Sequence, residues 1–226
     1  MKQEQGSSKI KTTDPEILGV LRDIHPAYGM YVLYLPIKMI GTELRIPMSL
    51  MHLSPLIYQA IGNFDEQQNL QEKYIYLSYE CSYVRKGTPQ KRPGLHCDGF
   101  LTDDVNFIWT DKDPTLFYAQ KFELTPDHMI SIQEMESTVD RSKAYWFPEC
   151  SLVRIDSTVP HEVAAPAEDG VRQFFKLSVS SHKYNLKGNT HNPLFKYDWK
   201  MYDREEVRNH PIYAEADSVP EGGVAA

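Results

Sequence analysis

Long apolar segments are absent from this sequence. Its most apolar stretches, such as residues 31–40, are interrupted within a few positions, whereas a membrane-spanning helix needs about 20 consecutive apolar residues. The N-terminal residues also lack the apolar stretch of a secretory signal. We therefore expect that the protein is cytoplasmic and does not contact a membrane.

Cysteine and positive charge are also scarce. The three cysteines, Cys81, Cys97 and Cys150, contain no C-x-x-C motif, which argues against a disulfide framework and against a structural zinc ribbon. The 24 Lys and Arg residues are outnumbered by 31 Asp and Glu residues, which gives a net charge of −7. Because non-specific nucleic-acid binding needs a basic face, we expect no extensive nucleic-acid binding. Any metal site would have to use histidines and carboxylates.

The length of 226 residues suits a single domain. Asp14 and Pro15 form a helix start signal, and the apolar residues that follow recur at helical spacing, so a short helix is predicted there. The pair Ser54 and Pro55 gives the same signal for a second helix over residues 53–61. The polar residues after Gly62 predict a loop.

From residue 73 onward the chain becomes rich in aromatic and β-branched residues, which are typical of strands. Turn-forming clusters separate these segments, and no regular helical crossover lies between them, which favours an antiparallel sandwich or barrel. We expect N-terminal buttressing helices and strands over residues 1–72, a core over residues 73–181 and a C-terminal extension over residues 182–226. Strands are predicted over residues 74–84, 105–109, 129–135, 152–155 and 171–180.

Residues 94–100 read GLHCDGF and contain an H-x-D motif. In an extended segment, His96 and Asp98 project from one face while Cys97 projects from the other, toward the core. Such a motif also arises by chance, so it is weak evidence alone. His161 follows the strand-like residues 151–156. Two histidines and one carboxylate are the ligand set of non-haem Fe(II) oxygenases.

The last predicted strand carries two cations beyond His161. Arg172 and Lys176 lie on one face of that strand together with Ser178, whereas the opposite face is apolar. On pattern alone, the polar face is solvated and the apolar face belongs to the core.

The H-x-D motif is followed along the chain by the distal His161 and then by the cation of the last strand. With its motifs in this order, the chain resembles the 2-oxoglutarate and Fe(II)-dependent oxygenase superfamily. The resemblance spans residues 74–180 and implies a mainly β fold with N-terminal helices, a cupin-like jelly roll known as the double-stranded β-helix. It also implies that His96, Asp98 and His161 bind Fe(II) at the catalytic centre. The implied reaction is that of a dioxygenase of the hydroxylase type, which uses O2 and 2-oxoglutarate and releases succinate and CO2.

The resemblance further implies that a cation of the last strand binds the distal carboxylate of 2-oxoglutarate. Arg172 is preferred because a guanidinium group presents a planar fork to a carboxylate, with Lys176 as the alternative and the Ser178 hydroxyl as a second contact. Further candidates for this pocket are Tyr118, Thr115, Asn106 and Trp109.

The substrate stays open among small molecules, peptides and nucleotides. One alternative function is a cupin-type metalloenzyme that does not use 2-oxoglutarate, and another is a jelly-roll binding or structural protein in which the H-x-D motif is accidental.

His182 and His191 are interpreted as surface residues, and the tyrosines of residues 74–83 as sheet packing. A basic cluster near the motif either is solvated or attracts an anionic substrate. This cluster consists of Arg85, Lys86, Lys91 and Arg92.

Overall fold

The computed structural model describes residues 8–65, 69–89 and 93–204. Both chain ends lie outside these described residues. So do Lys91 and Arg92 of the basic cluster. The strands are β1 (Ile10–Lys11), β2 (Glu16–Val20), β3 (Tyr31–Lys38), β4 (Tyr74–Val84), β5 (Val105–Thr110), β6 (Leu116–Tyr118), β7 (Glu123–Leu124), β8 (Ala144–Tyr145), β9 (Ser151–Asp156), β10 (His161–Glu162) and β11 (Gly170–Ser180). The α-helices are α1 (Ser54–Asp65) and α2 (His128–Thr138), with short 3-10 turns at Met48–Leu53, Leu70–Glu72 and Arg141–Lys143.

A large antiparallel sheet of six strands organises the fold, in the order β2-β9-β5-β11-β4-β3. β4 and β11 pair along their full lengths, from Tyr74 opposite Ser180 to Val84 opposite Gly170. The fold is therefore mainly β and antiparallel, as the sequence predicts. The N-terminal strands β2 and β3 form its two edges, so the first third of the chain is part of this sheet.

Two small sheets accompany the large one. A three-stranded sheet has the order β10-β6-β8, and β1 pairs with β7. Phe117 of β6 belongs to an apolar cluster with Ile108 of β5, Val153 of β9 and the partly buried Phe174 of β11. The three-stranded sheet therefore packs against one face of the large sheet.

Helix α1 covers the opposite face. It contributes four side chains with at most 1% exposure, Leu56, Ile57, Ala60 and Phe64, which recur at helical spacing and so form one apolar stripe. The predicted helix over residues 53–61 is confirmed and continues to Asp65; residues 66–68 of the predicted loop lie outside the described residues. The strand residues in this core cluster include Ile75, Leu77, Tyr79, Phe107, Trp109, Leu152, Phe175, Leu177 and Val179.

Two predicted elements are wrong. The segment after Asp14 is strand β2 and not a helix, because its backbone pairs with β9 at the edge of the large sheet, and tertiary pairing overrides a local start signal. Residues 129–135 form helix α2 and not a strand. The Asp127 carboxylate caps this helix by accepting hydrogen bonds from the backbone N–H groups of Met129 and Ile130.

No helix among the described residues is long and apolar enough to cross a membrane.

We expect the apolar stripe of α1 to contribute strongly to the free energy of unfolding. Replacing Ile57, which is fully buried, by Ala should lower the free energy of unfolding by about 2–5 kcal/mol because a cavity is left in the core. Tyr58 is the matched control on the same helix: it is 58% exposed, and its replacement by Ala should change stability by less than about 0.5 kcal/mol. Chemical denaturation measures both values, and equal losses would contradict this packing.

Candidate metal centre

A reciprocal pair of backbone hydrogen bonds joins the two predicted histidine ligands. The N–H of His96 donates to the carbonyl of His161 at 3.0 Å, and the N–H of His161 donates to the carbonyl of His96 at 2.9 Å. Their ring centroids are 4.8 Å apart. The backbone therefore holds side by side two residues that are far apart in the sequence.

Each imidazole is also oriented by a backbone carbonyl. Nδ1 of His96 lies 2.9 Å from the Gly94 oxygen, and Nδ1 of His161 lies 3.0 Å from the Val159 oxygen. When Nδ1 carries the proton and donates it there, Nε2 becomes the acceptor and metal-ligating atom. Both Nε2 atoms lie 3.7 Å from a carboxylate oxygen of Asp98. One donor atom from each of the three residues lies within 4.8 Å of the others.

Lys176 is the cation at this triad. The residue is 8% exposed. Its ammonium group donates to Asp98 Oδ2 at 2.7 Å and to the Tyr34 hydroxyl at 3.1 Å. Burial would raise the pKa of Asp98, but the charge of Lys176 and the two imidazoles hold this pKa well below its usual range. Burial opposes the charge of Lys176, yet Asp98 and Tyr34 raise its pKa. The pair is therefore ionised.

A glycine allows the turn after Asp98. Gly99 has a φ of +70°, and a Cβ at this position would lie 2.6 Å from Oδ2 of Asp104. Asp104 is 4% exposed, and burial raises its pKa. Its carboxylate accepts a hydrogen bond from the Tyr184 hydroxyl. Only glycine fits here without displacing a buried carboxylate.

A polar network supports the histidines from the side of α2. Glu136 accepts a hydrogen bond from the backbone N–H of Leu95 at 2.6 Å, and Arg141 donates to both Glu136 and Glu162 at 2.7 Å. Leu95 and Glu162 each adjoin one of the two histidines. Arg141 therefore connects both histidine-bearing segments.

Tyr118 belongs to this supporting network and is not brought to the triad. His161 pairs with Phe117 across β10 and β6, so Tyr118, the next residue, faces the other side. Its hydroxyl donates to Glu162, and burial together with this carboxylate raises the pKa of Tyr118 to about 12. Phe117 takes the position near the triad, with its ring 6.3 Å from that of His161. The pairing register of β6 with β10 determines that Phe117, and not Tyr118, lies on the side of the triad. This register cannot be read from the sequence.

Arg172 lies away from the triad. It precedes Lys176 by four residues, about 13 Å of strand. Its Nε donates to the Lys112 carbonyl and its Nη2 to the Asp113 carbonyl, both at 3.0 Å. The guanidinium group thus holds the turn after β5. Burial lowers the pKa of Arg172.

The polar face of β11 is buried, so the pattern-based prediction that it is solvated is wrong. Ser178 is 1% exposed, and its hydroxyl donates to Asn106 Oδ1 at 2.6 Å. Asn106 thus lies on the same side of the sheet as Lys176 and Ser178. Trp109 lies on the other side, in the α1 core, where its indole N–H donates to the Leu21 carbonyl. Thr115 lines a separate cleft and is not at the triad.

Some residues near the centre are not found by the sequence interpretation. Tyr34, which accepts the hydrogen bond from Lys176, lies on β3 with a φ of +44°, at the register shift between Val32 and Leu35. Tyr184 packs against it with ring centroids 5.2 Å apart. Cys97 is buried in the cluster of α2 and β6, as predicted from strand alternation.

No family model and no curated protein matches the chain. Among solved structures, EvdO2 from Micromonospora carbonacea var. aurantiaca aligns at 16% identity over 68% of this chain and 72% of that chain, with a TM-score of 0.42. A structure of EvdO2 complexed with 2-oxoglutarate aligns at 14% identity over 75% of this chain and 83% of that chain, with the same TM-score of 0.42. At such low identities and TM-scores, these likenesses do not assign a function to this chain.

We expect Gly99→Ala to destabilise the protein more than a matched glycine variant does. Gly41 has a similar φ of +72° with nothing within 4 Å of an added Cβ, so Gly41→Ala carries only the backbone cost of about 1–2 kcal/mol. Gly99→Ala adds a steric cost of about 1–3 kcal/mol from the contact with Asp104. Thermal unfolding of the two variants tests the difference, and equal midpoints would refute the close approach.

Proposed function

We propose that this protein is a non-haem Fe(II)- and 2-oxoglutarate-dependent oxygenase that hydroxylates its substrate. One observation carries the proposal: one possible ligand atom from each of His96, His161 and Asp98 lies within 4.8 Å of the others, beside a buried lysine. The order of these residues along the chain is that of the resembled superfamily.

The three side chains fit a divalent iron. Two neutral imidazoles and one carboxylate are the facial ligand set of this enzyme class and leave positions open for other ligands. Asp98 has two oxygens, so one is able to bind the metal while Oδ2 keeps its hydrogen bond from Lys176. When bound, Fe(II) would supply the redox chemistry by which O2 oxidises 2-oxoglutarate to succinate and CO2 and also oxidises the substrate, one oxygen atom entering each product.

The charges of the site select an anionic co-substrate. The single negative charge of Asp98 is already balanced by Lys176, so a divalent ion makes the site strongly positive. A dicarboxylate offsets this charge. Lys176 is suited to bind its distal carboxylate, and the buried Nδ2 of Asn106, which has no hydrogen-bond partner within the described structure, is a second donor on the same side of the sheet.

Lys176 replaces Arg172 as the preferred anchor for 2-oxoglutarate. The guanidinium of Arg172 donates to two backbone carbonyls of the turn after β5, and breaking these bonds would leave buried acceptors unsatisfied. Lys176 lies directly at the triad. Arg172 is assigned a structural role.

The absorption spectrum separates this function from the two alternatives. Under anaerobic conditions, adding 2-oxoglutarate to the Fe(II)-loaded protein should produce a visible metal-to-ligand band of a chelating keto acid. Bound iron without this band would support a cupin-type metalloenzyme. A protein that retains no iron would support a binding or structural protein.

Replacing Asp98 by Asn should abolish tight iron binding. The amide of Asn keeps an acceptor for Lys176 but removes the anionic ligand. Loss of an outer-shell partner lowers metal affinity roughly 10–100-fold, and we expect the affinity for Fe(II) to fall by more than this. Asp98→Ala is less informative, because it leaves a buried ammonium unpaired at a cost of about 3–5 kcal/mol.

Equilibrium dialysis followed by metal analysis measures the Asp98→Asn effect. Asp103→Asn is the matched control, since Asp103 pairs with Lys73 outside the triad, and it should retain iron. Iron occupancy equal to wild type in Asp98→Asn would count against this site.

Lys176→Met and Arg172→Met distinguish the two candidate anchors. In the Fe(II)-loaded protein, Lys176→Met should raise the concentration of 2-oxoglutarate needed for half-maximal absorption by at least about 30-fold, because a charge-assisted contact is lost. Arg172→Met should lower the unfolding temperature and leave this concentration unchanged. The reverse result would make Arg172 the anchor, and no change in either variant would contradict 2-oxoglutarate binding on β11.

A further inference from the structure

A cavity of about 370 Å³ lies between β3 and the C-terminal segment of residues 184–201. This volume is within the range of roughly 300–1,000 Å³ that is common for small-molecule sites. The role proposed for the metal centre does not use this cavity. Five of its twelve lining residues carry aromatic rings, Tyr34, Tyr184, Tyr197, Trp199 and His191.

The cavity adjoins the candidate metal centre through one side chain. Tyr34 lines the cavity, and its hydroxyl accepts the hydrogen bond from Lys176. The ammonium also lies 5.2 Å from the centroid of the Tyr34 ring. Because Lys176 binds Asp98 directly, the side chains of Tyr34 and Lys176 connect a ligand against the Tyr34 ring to Asp98 of the triad.

The polar side chains of the wall are largely engaged within the protein. Asn189 donates through Nδ2 to the Tyr184 carbonyl and accepts through Oδ1 from Arg204. The Thr190 hydroxyl accepts a hydrogen bond from the backbone N–H of Leu33 at 2.9 Å. The groups that this wall offers to a ligand are therefore ring faces more than hydrogen-bonding atoms.

The charged residues at the cavity are solvated. Lys187 and Asp198 are both exposed, and Lys187 pairs with Asp203 at 2.9 Å. Exposed charges contribute little to binding free energy because water screens them. The wall therefore has no buried charge that would select an ionic ligand.

Rings of the wall contact one another in a row. His191 and Tyr197 are stacked, with centroids 4.4 Å apart and planes at 19°, and Tyr197 and Trp199 are tilted by 46°, with centroids 4.6 Å apart. Such surfaces favour a further flat ring, since aromatic pairs in offset or edge contact gain free energy beyond the area that they bury. A saturated ligand of equal volume lacks this gain.

We propose that this cavity binds a flat, uncharged aromatic ring, and that this ring is part of the substrate of the oxygenase. The assignment as substrate rests on the function proposed above, whereas the binding of a flat ring does not. The C-terminal segment, which carries Tyr197 and Trp199, is then the element that determines substrate class.

The binding of a flat ring is tested on metal-free protein with three probes in ligand-observed NMR titrations. Indole is flat and uncharged, cyclohexanol is uncharged but not flat, and tetramethylammonium is a cation. Indole should bind about threefold to tenfold more tightly than cyclohexanol. Equal binding of these two would overturn the proposal, and so would tighter binding of tetramethylammonium, which would indicate a cation site.

Two variants locate the indole. Trp199→Leu keeps an apolar side chain but removes the ring, and should weaken indole binding by about threefold to tenfold. Trp146→Leu is the matched control, because Trp146 is 61% exposed and does not line the cavity. Tyr197→Leu is measured in parallel in case Trp199→Leu fails to fold, as judged by thermal unfolding. Unchanged indole binding in the folded variants would place the probe elsewhere.

A paramagnetic ion tests the assignment as substrate. Mn²⁺ bound at the triad should accelerate the relaxation of the protons of bound indole, and Asp98→Asn should remove this effect. Bound Mn²⁺, verified by electron paramagnetic resonance, without faster relaxation would separate the cavity from the metal centre and overturn the assignment. A protein that binds no Mn²⁺ would instead refute the proposed function, while the indole titration would still decide whether the cavity takes a flat ring.

Discussion

The candidate site depends on the two backbone hydrogen bonds between His96 and His161. They fix the separation of two imidazoles before any metal is present, and each ring is then turned by its own carbonyl contact. Because backbone atoms make the bridge, it tolerates changes in the surrounding side chains. Side chains add support through Glu136 of α2 and Arg141 of the turn that follows it, which together connect the residues next to the two histidines.

The large sheet separates two kinds of interior. One face carries the apolar core against α1, and the other carries a row of buried polar groups that includes Lys176, Ser178 and Asn106. Burying an ammonium group is unfavourable unless a counter-charge accompanies it. Asp98 supplies this charge, so the carboxylate that lies with the two histidines in the candidate triad also compensates the buried ammonium group.

The sequence predicted the mainly β class, strands β4, β5, β9 and β11 and the three side chains that converge. It did not predict β3, because the irregular pairing around Tyr34 interrupts the strand pattern. It also misplaced Tyr118, since strand register is set by long-range pairing. The preference for Arg172 followed from the chemistry of guanidinium groups, and nothing local in the sequence shows that the turn after β5 occupies this group.

The histidine bridge also has a consequence for folding. His96 and His161 belong to segments separated by β5 to β9, so a long stretch of chain must be ordered before the two imidazoles meet, and such non-local contacts form late. The unfolded chain therefore has no preformed site for the ion. A metal ion that bound only the native state would stabilise it by mass action, so the free energy of unfolding would rise with the concentration of available metal.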